Sequence, residues 1–307
     1  MEGIFAILPN HITTEIQKYL HKEVFPIQEI RLRINRPVEI NDGKNVKLFY
    51  HLTFTTHDAK YLLNNISEYS LYRLEEELKQ GFITVNGGHR IGIAGSVNLS
   101  NGTVKAIQHI SSFNIRIATN LIGVSEAYIQ DLYNERYVNT LIIGPPQSGK
   151  TTFLRDLTRV ISNGYKAIPA MKTAVVDERS EICGSVNGVP QSISGGRIDV
   201  LDRCPKTDGM MMLVRSMSPQ VIIVDEIGTE EDVQAIDEVM HAGITLICSI
   251  HGYSFEDVIN RETIKPLIEK RVFERLIVLS NDRSTGEITA IYDKDGKKVH
   301  AKSVSMI

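Results

Sequence analysis

The segment from Gly144 to Thr152 reads GPPQSGKTT, and it lies between an apolar run and a helical pattern. It fits GxxxxGK[ST], a pattern that occurs where a buried strand turns into a helix through a tight loop. Gly144 and Gly149 lack a Cβ, so the main chain can curl and direct its N–H groups toward one point. Such a loop constrains the rest of the chain, because it requires a parallel sheet covered by helices.

The chain after about residue 137 alternates apolar runs with helical stretches. Continuous apolar strands are typical of a parallel sheet that is buried on both faces. The predicted strands are Thr140–Gly144, Thr173–Glu178, Val221–Glu226, Ile244–His251 and Arg275–Ser280. The predicted helices are Lys150–Asn163, Glu230–Ala242 and Phe255–Phe273. We therefore expect residues 137–307 to form a doubly wound α/β core, closed by a hairpin around Asp295–Gly296.

Residues 1–136 show a mixed pattern that predicts an N-terminal α+β domain with an antiparallel sheet. The predicted helices are Thr13–Lys22 and Thr56–Gln80, the second opened by Thr56 and Asp58 and closed by Gly81. The predicted strands lie in Gln28–Ile40 with a break at Asn35–Pro37, in Phe82–Val85, in His89–Val97 and in Val104–Ala118 with a break near Ser111. Turns are predicted at Asn86–Gly88 and Ser100–Gly102.

The composition excludes several classes of protein. The length of 307 residues suggests two domains, and a net charge of −3 argues against a strongly basic surface for nucleic acid. Cys183, Cys204 and Cys248 are too widely spaced for a zinc site or a disulfide framework, so we expect a cytoplasmic protein without zinc. The start of the chain does not resemble a signal peptide, and no apolar run is long enough to span a membrane.

The glycine-rich segment has the chemistry of a triphosphate site. Lys150 can neutralise the β- and γ-phosphates, and the Thr151 hydroxyl can bind Mg²⁺, which prefers oxygen ligands. The start of the following helix favours an anion. We therefore predict that Mg-ATP binds to Gly144, Pro145, Pro146, Gln147, Ser148, Gly149, Lys150, Thr151 and Thr152. The alternative is a glycine-rich turn that only links strand to helix.

An acidic pair, Asp225–Glu226, follows the apolar run VIIV. Ligands bind beyond the carboxyl ends of parallel strands, which places this pair near the phosphate loop. We expect Asp225 to hold the magnesium ion, directly or through water, and Glu226 to activate the attacking water as general base. Solvated acids at a strand end are the alternative.

Two further segments add candidate catalytic residues at strand ends. Asp177 or Glu178 in VVDERSE would position the water or tune the magnesium ion, unless both are solvated loop acids. Arg179 would contact a phosphate in a neighbouring subunit or pair with Glu181. His251 in SIHG could sense the γ-phosphate, or serve as an ordinary polar residue.

These four segments, in this order, resemble the Walker A loop, Asp box, Walker B strand and His box of the secretion-type ATPases of type II and type IV systems. A closer resemblance is to the family of stage III sporulation protein AA, a relative of those ATPases in endospore-forming bacteria. It rests on EEELKQGFITVNGGHRIGIAGSV, SSFNIRIA, VVDERSEICG and RIDVLDRCPKTDGMMMLVRSMSPQVIIVDEIG, and it extends from about residue 70 to residue 280. The resemblance implies a RecA-like P-loop core.

The resemblance also implies a homo-oligomer, a hexameric ring with the site at a subunit boundary, and membrane-embedded channel or secretion proteins of sporulation as partners. It places the protein in the mother-cell cytoplasm, at the membrane only through those partners. Arg90 and Arg116 are similar to arginines that the N-terminal domain directs at the nucleotide; the alternative is an exposed sheet face. The secretion ATPases usually have Gly-Glu where this chain has Asp225–Glu226, so the departure makes the magnesium role of Asp225 less secure than the catalytic role of Glu226.

The function of an ATP-driven motor competes with two others. One is a RecA-type nucleic-acid motor, which the acidic pI of about 6.3 disfavours, and the other is a nucleotide-regulated assembly factor with little turnover. The methionine-rich stretch within residues 195–219 is either a subunit or pore contact or a buried core helix.

Overall fold

The structure is a computed structural model that describes residues 1–21, 27–67, 78, 81–100, 103–118, 120–193, 195–280 and 287–300. It consists of two compact units, Met1–Thr119 and Asn120–Ile307. This division lies earlier in the chain than the boundary expected after residue 136. The intervening residues belong to the second unit, because Tyr128, Ile129 and Leu132 are buried in its core.

The first unit is an antiparallel sheet with helices against its apolar face. Its helices are α1 (Glu2–Phe5), α2 (Asn10–Leu20) and α3 (Thr56–Ile66). Its strands are β1 (Glu29–Arg33), β2 (Arg36–Asn41), β3 (Val46–Phe54), β4 (Phe82–Val85), β5 (His89–Ser100) and β6 (Thr103–Arg116), in the order β3-β2-β1-β6-β5-β4. Alternation along β1 buries Ile30 and Leu32 under the helices and leaves the charged residues on the other face.

The predicted details of this unit agree with the structure in part. Asn86–Gly88 joins β4 to β5 in an antiparallel pair, as expected. Helix α3 is capped by Thr55, whose hydroxyl accepts the Asp58 N–H. Residues 68–77 and 79–80 of the longer predicted helix, and residues 101–102 of the second predicted turn, lie outside the described residues. Strand β6 continues past Ser111, where the pairing with β5 shifts register. Strand β3 was not predicted.

The second unit is built around a mostly parallel sheet. Its strands are β7 (Tyr133–Asn134), β8 (Arg136–Tyr137), β9 (Thr140–Gly144), β10 (Thr173–Asp177), β11 (Ile198–Asp202), β12 (Val221–Val224), β13 (Thr245–His251), β14 (Arg275–Ser280), β15 (Glu287–Asp293) and β16 (Lys298–His300). Its helices are α4 (Ile129–Leu132), α5 (Lys150–Asn163), α6 (Lys206–Met217), α7 (Glu230–His241), α8 (Phe255–Ile259) and α9 (Lys265–Glu269), with a 3₁₀ turn at Glu126–Tyr128.

The main sheet has the order β11-β10-β12-β13-β9-β14-β15-β16, parallel from β11 to β14 and antiparallel thereafter. Val176 and Val224 belong to a core on one face, and Val175 and Ile223 belong to a core on the other. Burial on both faces explains the continuous apolar runs and produces the doubly wound arrangement that the sequence predicts.

Three parts of this unit depart from the prediction. The sequence pattern missed strand β11. The long helix expected over Phe255–Phe273 is two short helices, because Pro266 lies in the first turn of α9 and could not lie inside a continuous helix. The methionine-rich stretch contains α6, which buries Met210 in the core and leaves Met212 52% exposed. None of the helices in the described ranges is both long and apolar enough to cross a bilayer.

Candidate nucleotide site

The glycine-rich loop runs from the end of β9 to the start of α5. Gly149 adopts a left-handed φ of 90° and precedes the first helical residue, and no side chain caps the helix. Gly144 is closely packed, since a Cβ there would overlap Ser148 Oγ and lie 3.2 Å from Leu279 Cβ. The loop is thus a tight main-chain turn that ends in a helix whose first N–H groups are free of a side-chain acceptor.

Lys150 is a buried cation at this loop. Only 8% of the residue is exposed, and its Nζ donates hydrogen bonds to the carbonyl oxygens of Gly144 at 2.8 Å and Pro145 at 2.9 Å. Burial lowers the pKa of the Lys150 amine, while the charges of Asp225 and Glu226 act in the opposite direction. An anion at the loop would supply compensating negative charge to this buried amine.

Asp225 follows β12 and connects three elements of the site. Its Oδ2 accepts a hydrogen bond of 2.9 Å from Thr151 Oγ1 at the start of α5. Its Oδ1 accepts a hydrogen bond from Ser249 Oγ on β13. Burial raises the pKa of the Asp225 carboxyl, and the two hydroxyl donors oppose that effect. The two residues predicted to bind magnesium, Thr151 and Asp225, are therefore in direct contact.

Glu226 lies beside Asp225 but faces a different partner. Its backbone adopts a left-handed φ of 58°, which a residue other than glycine seldom adopts. Its Oε2 accepts a hydrogen bond of 2.6 Å from Arg179 Nη1, and both side chains are well exposed. Arg179 thus forms an ion pair with the predicted general base. Either a phosphate contact or a pair with Glu181 was expected from the sequence.

Asp177, at the end of β10, is 1% exposed and holds the following loop closed. Its carboxylate accepts three backbone N–H groups, from Glu181 at 2.8 Å, Ile182 at 3.2 Å and Cys183 at 2.7 Å. Burial raises the pKa of Asp177, and the three amide donors act against that rise. The carboxylate is fully engaged by its own loop, which gives Asp177 a structural task that the sequence did not predict.

The same loop is held from outside by two basic residues. Arg155 on α5 donates to the carbonyl oxygens of Ile182 at 2.7 Å and Glu181 at 2.6 Å. Lys206 Nζ lies 2.7 Å from Glu178 Oε2. The phosphate-loop helix is therefore joined to the loop that carries Glu178.

His251 ends β13, where it is paired with Gly144 in the parallel sheet. The Gly252 N–H donates to the Gly144 carbonyl at 3.1 Å, so this strand end borders the phosphate loop. The His251 ring packs edge-on against Tyr253, with centroids 5.6 Å apart, and its carbonyl accepts from Arg261 at 2.6 Å. The position is compatible with a role at a phosphate, which stays a prediction.

Arg90 and Arg116 belong to the first unit, where they are cross-strand partners on β5 and β6. The Arg90 guanidinium lies 3.5 Å from the centroid of the Phe82 ring, and Arg116 Nε lies 3.6 Å from Glu29 Oε1. The two arginines thus share the polar face of that sheet. Their proposed contact with nucleotide also stays a prediction.

Several observations fit a triphosphate with a hard cation. Ser148 Oγ is buried in the loop and hydrogen-bonds to no residue in the described part of the chain. Lys150 is a buried amine with only carbonyl acceptors in its recorded hydrogen bonds. Thr151 and Asp225 offer adjacent oxygen atoms of the kind that Mg²⁺ prefers.

Comparisons with known proteins show which family this chain is similar to. The family model described as "Sporulation stage III, protein AA" matches residues 2–299. The chain belongs to this family. It is 50% identical over 297 residues to the stage III sporulation protein AA of Bacillus subtilis (strain 168), and the match covers 96% of each chain. The family resemblance expected from the sequence is confirmed.

Solved structures confirm the fold. The Legionella pneumophila ATPase DotB superposes with a TM-score of 0.56 at 15% identity, covering 86% of this chain and 74% of DotB. The pilus retraction motor PilT, solved with bound ADP, superposes with a TM-score of 0.57 at 16% identity, covering 86% of this chain and 76% of PilT. The chain therefore shares the fold of these two proteins, with a RecA-like P-loop core as the sequence predicts.

Sequence reasoning missed two residues that organise the site. Ser249 was visible in the sequence as a hydroxyl residue that interrupts the apolar run of β13, but the interpretation of this strand end was based on His251, two residues later. Arg155 lies four residues after Thr151 on α5. Its role depends on its hydrogen bond to the Ile182 carbonyl in the loop after β10. Only the fold brings that loop to the helix.

Proposed function

We propose that the chain binds Mg-ATP at the loop Gly144–Thr152 and hydrolyses it to ADP and phosphate. The observation that carries this proposal is the hydrogen bond between Thr151 and Asp225, which joins the start of α5 to the acidic end of β12. Those two oxygens would hold the magnesium ion, and Lys150 would neutralise phosphate charge. When bound, the ion would polarise the phosphate oxygens.

Glu226 would act as the general base that accepts a proton from the attacking water. In the structure its carboxylate forms an ion pair with Arg179. Glu226 would therefore be available as a base when that exposed ion pair opens. An ion pair between exposed side chains is weak, at about 0–1 kcal/mol, and it can open readily. Asp177 holds the neighbouring loop in place, and Glu178 and His251 remain candidates for orienting the water.

The motor would work as a homo-oligomer, a hexameric ring that energises a channel or secretion complex at the membrane during sporulation. Membership of the sporulation family and the fold shared with DotB and PilT support this proposal. In such a ring, Arg90 and Arg116 would approach the nucleotide from the first unit and stabilise charge on the transferred phosphoryl group.

A paired experiment tests the enzymatic proposal. Lys150→Ala should lose nucleotide binding, because it removes the buried cation. Glu226→Gln should bind ATP but lose turnover by at least about 100-fold, because a carboxamide cannot accept the proton. Hydrolysis, ATP affinity and oligomer mass are measured for both variants. Lys265→Ala and Glu269→Gln, an exposed pair on α9, serve as matched controls.

Three outcomes decide between the functions. Normal turnover by Glu226→Gln would remove its catalytic assignment. Magnesium-dependent binding with negligible turnover in the wild type would favour a nucleotide-regulated assembly factor. Strong stimulation by DNA, falling steeply with salt, would favour a nucleic-acid motor.

A further inference from the structure

Ser249 makes three hydrogen bonds to three consecutive residues after β12. It lies on β13, between the strand that precedes the phosphate loop and the strand that precedes the acidic pair, and it is 0% exposed. Its Oγ donates to Asp225 Oδ1 and accepts the Glu226 N–H at 3.0 Å. Its carbonyl oxygen accepts the Ile227 N–H at 2.8 Å. One buried residue thus holds the whole acidic turn.

The directions of these bonds follow from the groups involved. A backbone N–H can only donate, so the Ser249 hydroxyl must accept from Glu226. Its single proton is then donated to the Asp225 carboxylate, which can only accept hydrogen bonds when it is ionised. The hydroxyl thus donates one hydrogen bond to a side chain and accepts one from the main chain. An alanine at this position would leave both partners without their bond.

These bonds bear on the geometry of both acids. Asp225 has one oxygen held by Ser249 and the other by Thr151, which fixes the plane of its carboxylate. Glu226 has a left-handed backbone, with φ of 58°. Such a conformation persists only where surrounding contacts impose it, and the bonds from Ser249 to Glu226 and Ile227 are of that kind. This backbone conformation sets the direction in which the Glu226 side chain leaves the main chain.

We propose that Ser249 is a positioning residue, which sets the Asp225 carboxylate and the Glu226 backbone in the geometry that magnesium binding and proton transfer require. It acts through those two residues and contacts neither nucleotide nor metal. The expected effect on catalysis rests on the proposed ATPase function. The expected effect on the backbone of the acidic turn does not, because it can be measured without any ligand. Partners of this kind, one step removed from a metal, typically change affinity or activity by about 10–100-fold.

The test compares Ser249→Ala with the wild type in two measurements. In the protein without nucleotide, hydrogen exchange of the Glu226 amide should become roughly tenfold faster, because the substitution removes the hydroxyl that accepts its hydrogen bond. In the ATPase assay, kcat should fall or the magnesium concentration for half-maximal activity should rise by about 10–100-fold, with little change in ATP affinity measured without magnesium. Ser249→Thr keeps the hydroxyl and should restore slow exchange.

Thr245→Val is the matched control, because it removes another buried hydroxyl from β13. The Thr245 hydroxyl bonds to the Tyr137 carbonyl at 3.0 Å, at the other end of the strand. This variant should keep wild-type exchange at Glu226 and wild-type magnesium dependence.

Unchanged exchange and kinetics in a folded Ser249→Ala protein would overturn the proposal. So would equal losses in Thr245→Val, or fast exchange in a folded Ser249→Thr protein. A wild type without ATPase activity would reject the proposed function instead. In that case the exchange measurement alone would still decide whether Ser249 holds the acidic turn.

Discussion

Strands β10 and β12 are neighbours in the parallel sheet, and an acidic pair stands at the end of each, yet the first acids of the two pairs have different tasks. Within the described residues, the Asp177 carboxylate receives only backbone N–H groups, which come from its own loop. The Asp225 carboxylate receives hydroxyl groups, from Thr151 and Ser249 on two other elements. One carboxylate closes a loop, and the other joins the parts of a site.

The chemistry of the donors explains the difference. An N–H group cannot become an acceptor, so Asp177 must present acceptor oxygens at both positions. The Thr151 hydroxyl can donate or accept by rotating, so this partner of Asp225 can adapt when the carboxylate oxygen that it contacts takes another ligand. Two strand ends that look alike in sequence therefore differ in how much change they tolerate.

The largest expected effect is on catalysis by Asp225→Asn. Loss of the charge and of one oxygen should lower kcat/KM for Mg-ATP by at least about 100-fold, equivalent to roughly 2.7 kcal/mol. Asp177→Asn, assayed where it remains folded, should lose less than about tenfold, because its carboxylate is engaged by the loop. Steady-state ATPase assays over a range of magnesium concentrations measure both. Equal losses would place Asp177 in the catalytic site.

The same two substitutions should have the opposite order of effect on stability. In Asp177→Asn an amide NH₂ must face a backbone N–H, so we expect the free energy of unfolding to fall by about 2 kcal/mol. In Asp225→Asn the Thr151 hydroxyl can accept from the new NH₂ while Ser249 donates to the remaining oxygen, so the change should be under about 1 kcal/mol. Urea denaturation without nucleotide measures this contrast, and a larger loss in Asp225→Asn would contradict it.

The pH dependence should sharpen the comparison further. Burial raises the pKa of Asp225 above its ordinary value of 3.8, so the folded protein binds this proton more tightly than the unfolded chain. The resulting stability is present below about pH 4 and is lost as pH rises through the folded pKa. The Asp225→Asn variant has no carboxyl group to ionise at this position, so it does not lose stability in this way as the pH rises. Its stability relative to wild type should therefore increase between pH 4 and pH 7, which urea titrations at several pH values can measure.

The smallest expected effects come from the partners of the second acids. Lys206→Ala removes the partner of Glu178, and Arg179→Ala removes the partner of Glu226. Ion pairs with exposed members contribute little, so each variant should lose less than about 1 kcal/mol of stability. Thermal unfolding at low and high salt measures this contribution. A loss as large as that of Asp177→Asn would contradict this expectation and show that the ion pairs contribute as much stability as the buried carboxylate does.

The sequence by itself determined the core of the second unit and the position of its phosphate loop. Ile142–Ile143 and Ile222–Ile223 lie on strands that are buried on both faces of the sheet. A strand buried in this way needs apolar residues at consecutive positions, so the sequence reveals it directly. The pattern GPPQSGKTT fixed the loop, because glycines are required wherever the main chain itself must form the turn. These features depend on residues that are close together in the chain.

Tertiary structure decided everything that depends on partners distant in the chain. The division between the units follows from the core in which Tyr128 and Leu132 are buried. The helix predicted from Phe255 onward is split, because the short-range pattern did not reveal a second helix that starts at Lys265, just before Pro266. Only the parallel order of β12 and β13 brings Ser249 beside Asp225, which lies 24 residues earlier. Identical acidic pairs acquire different roles because the donors that reach them come from elements that the local sequence does not specify.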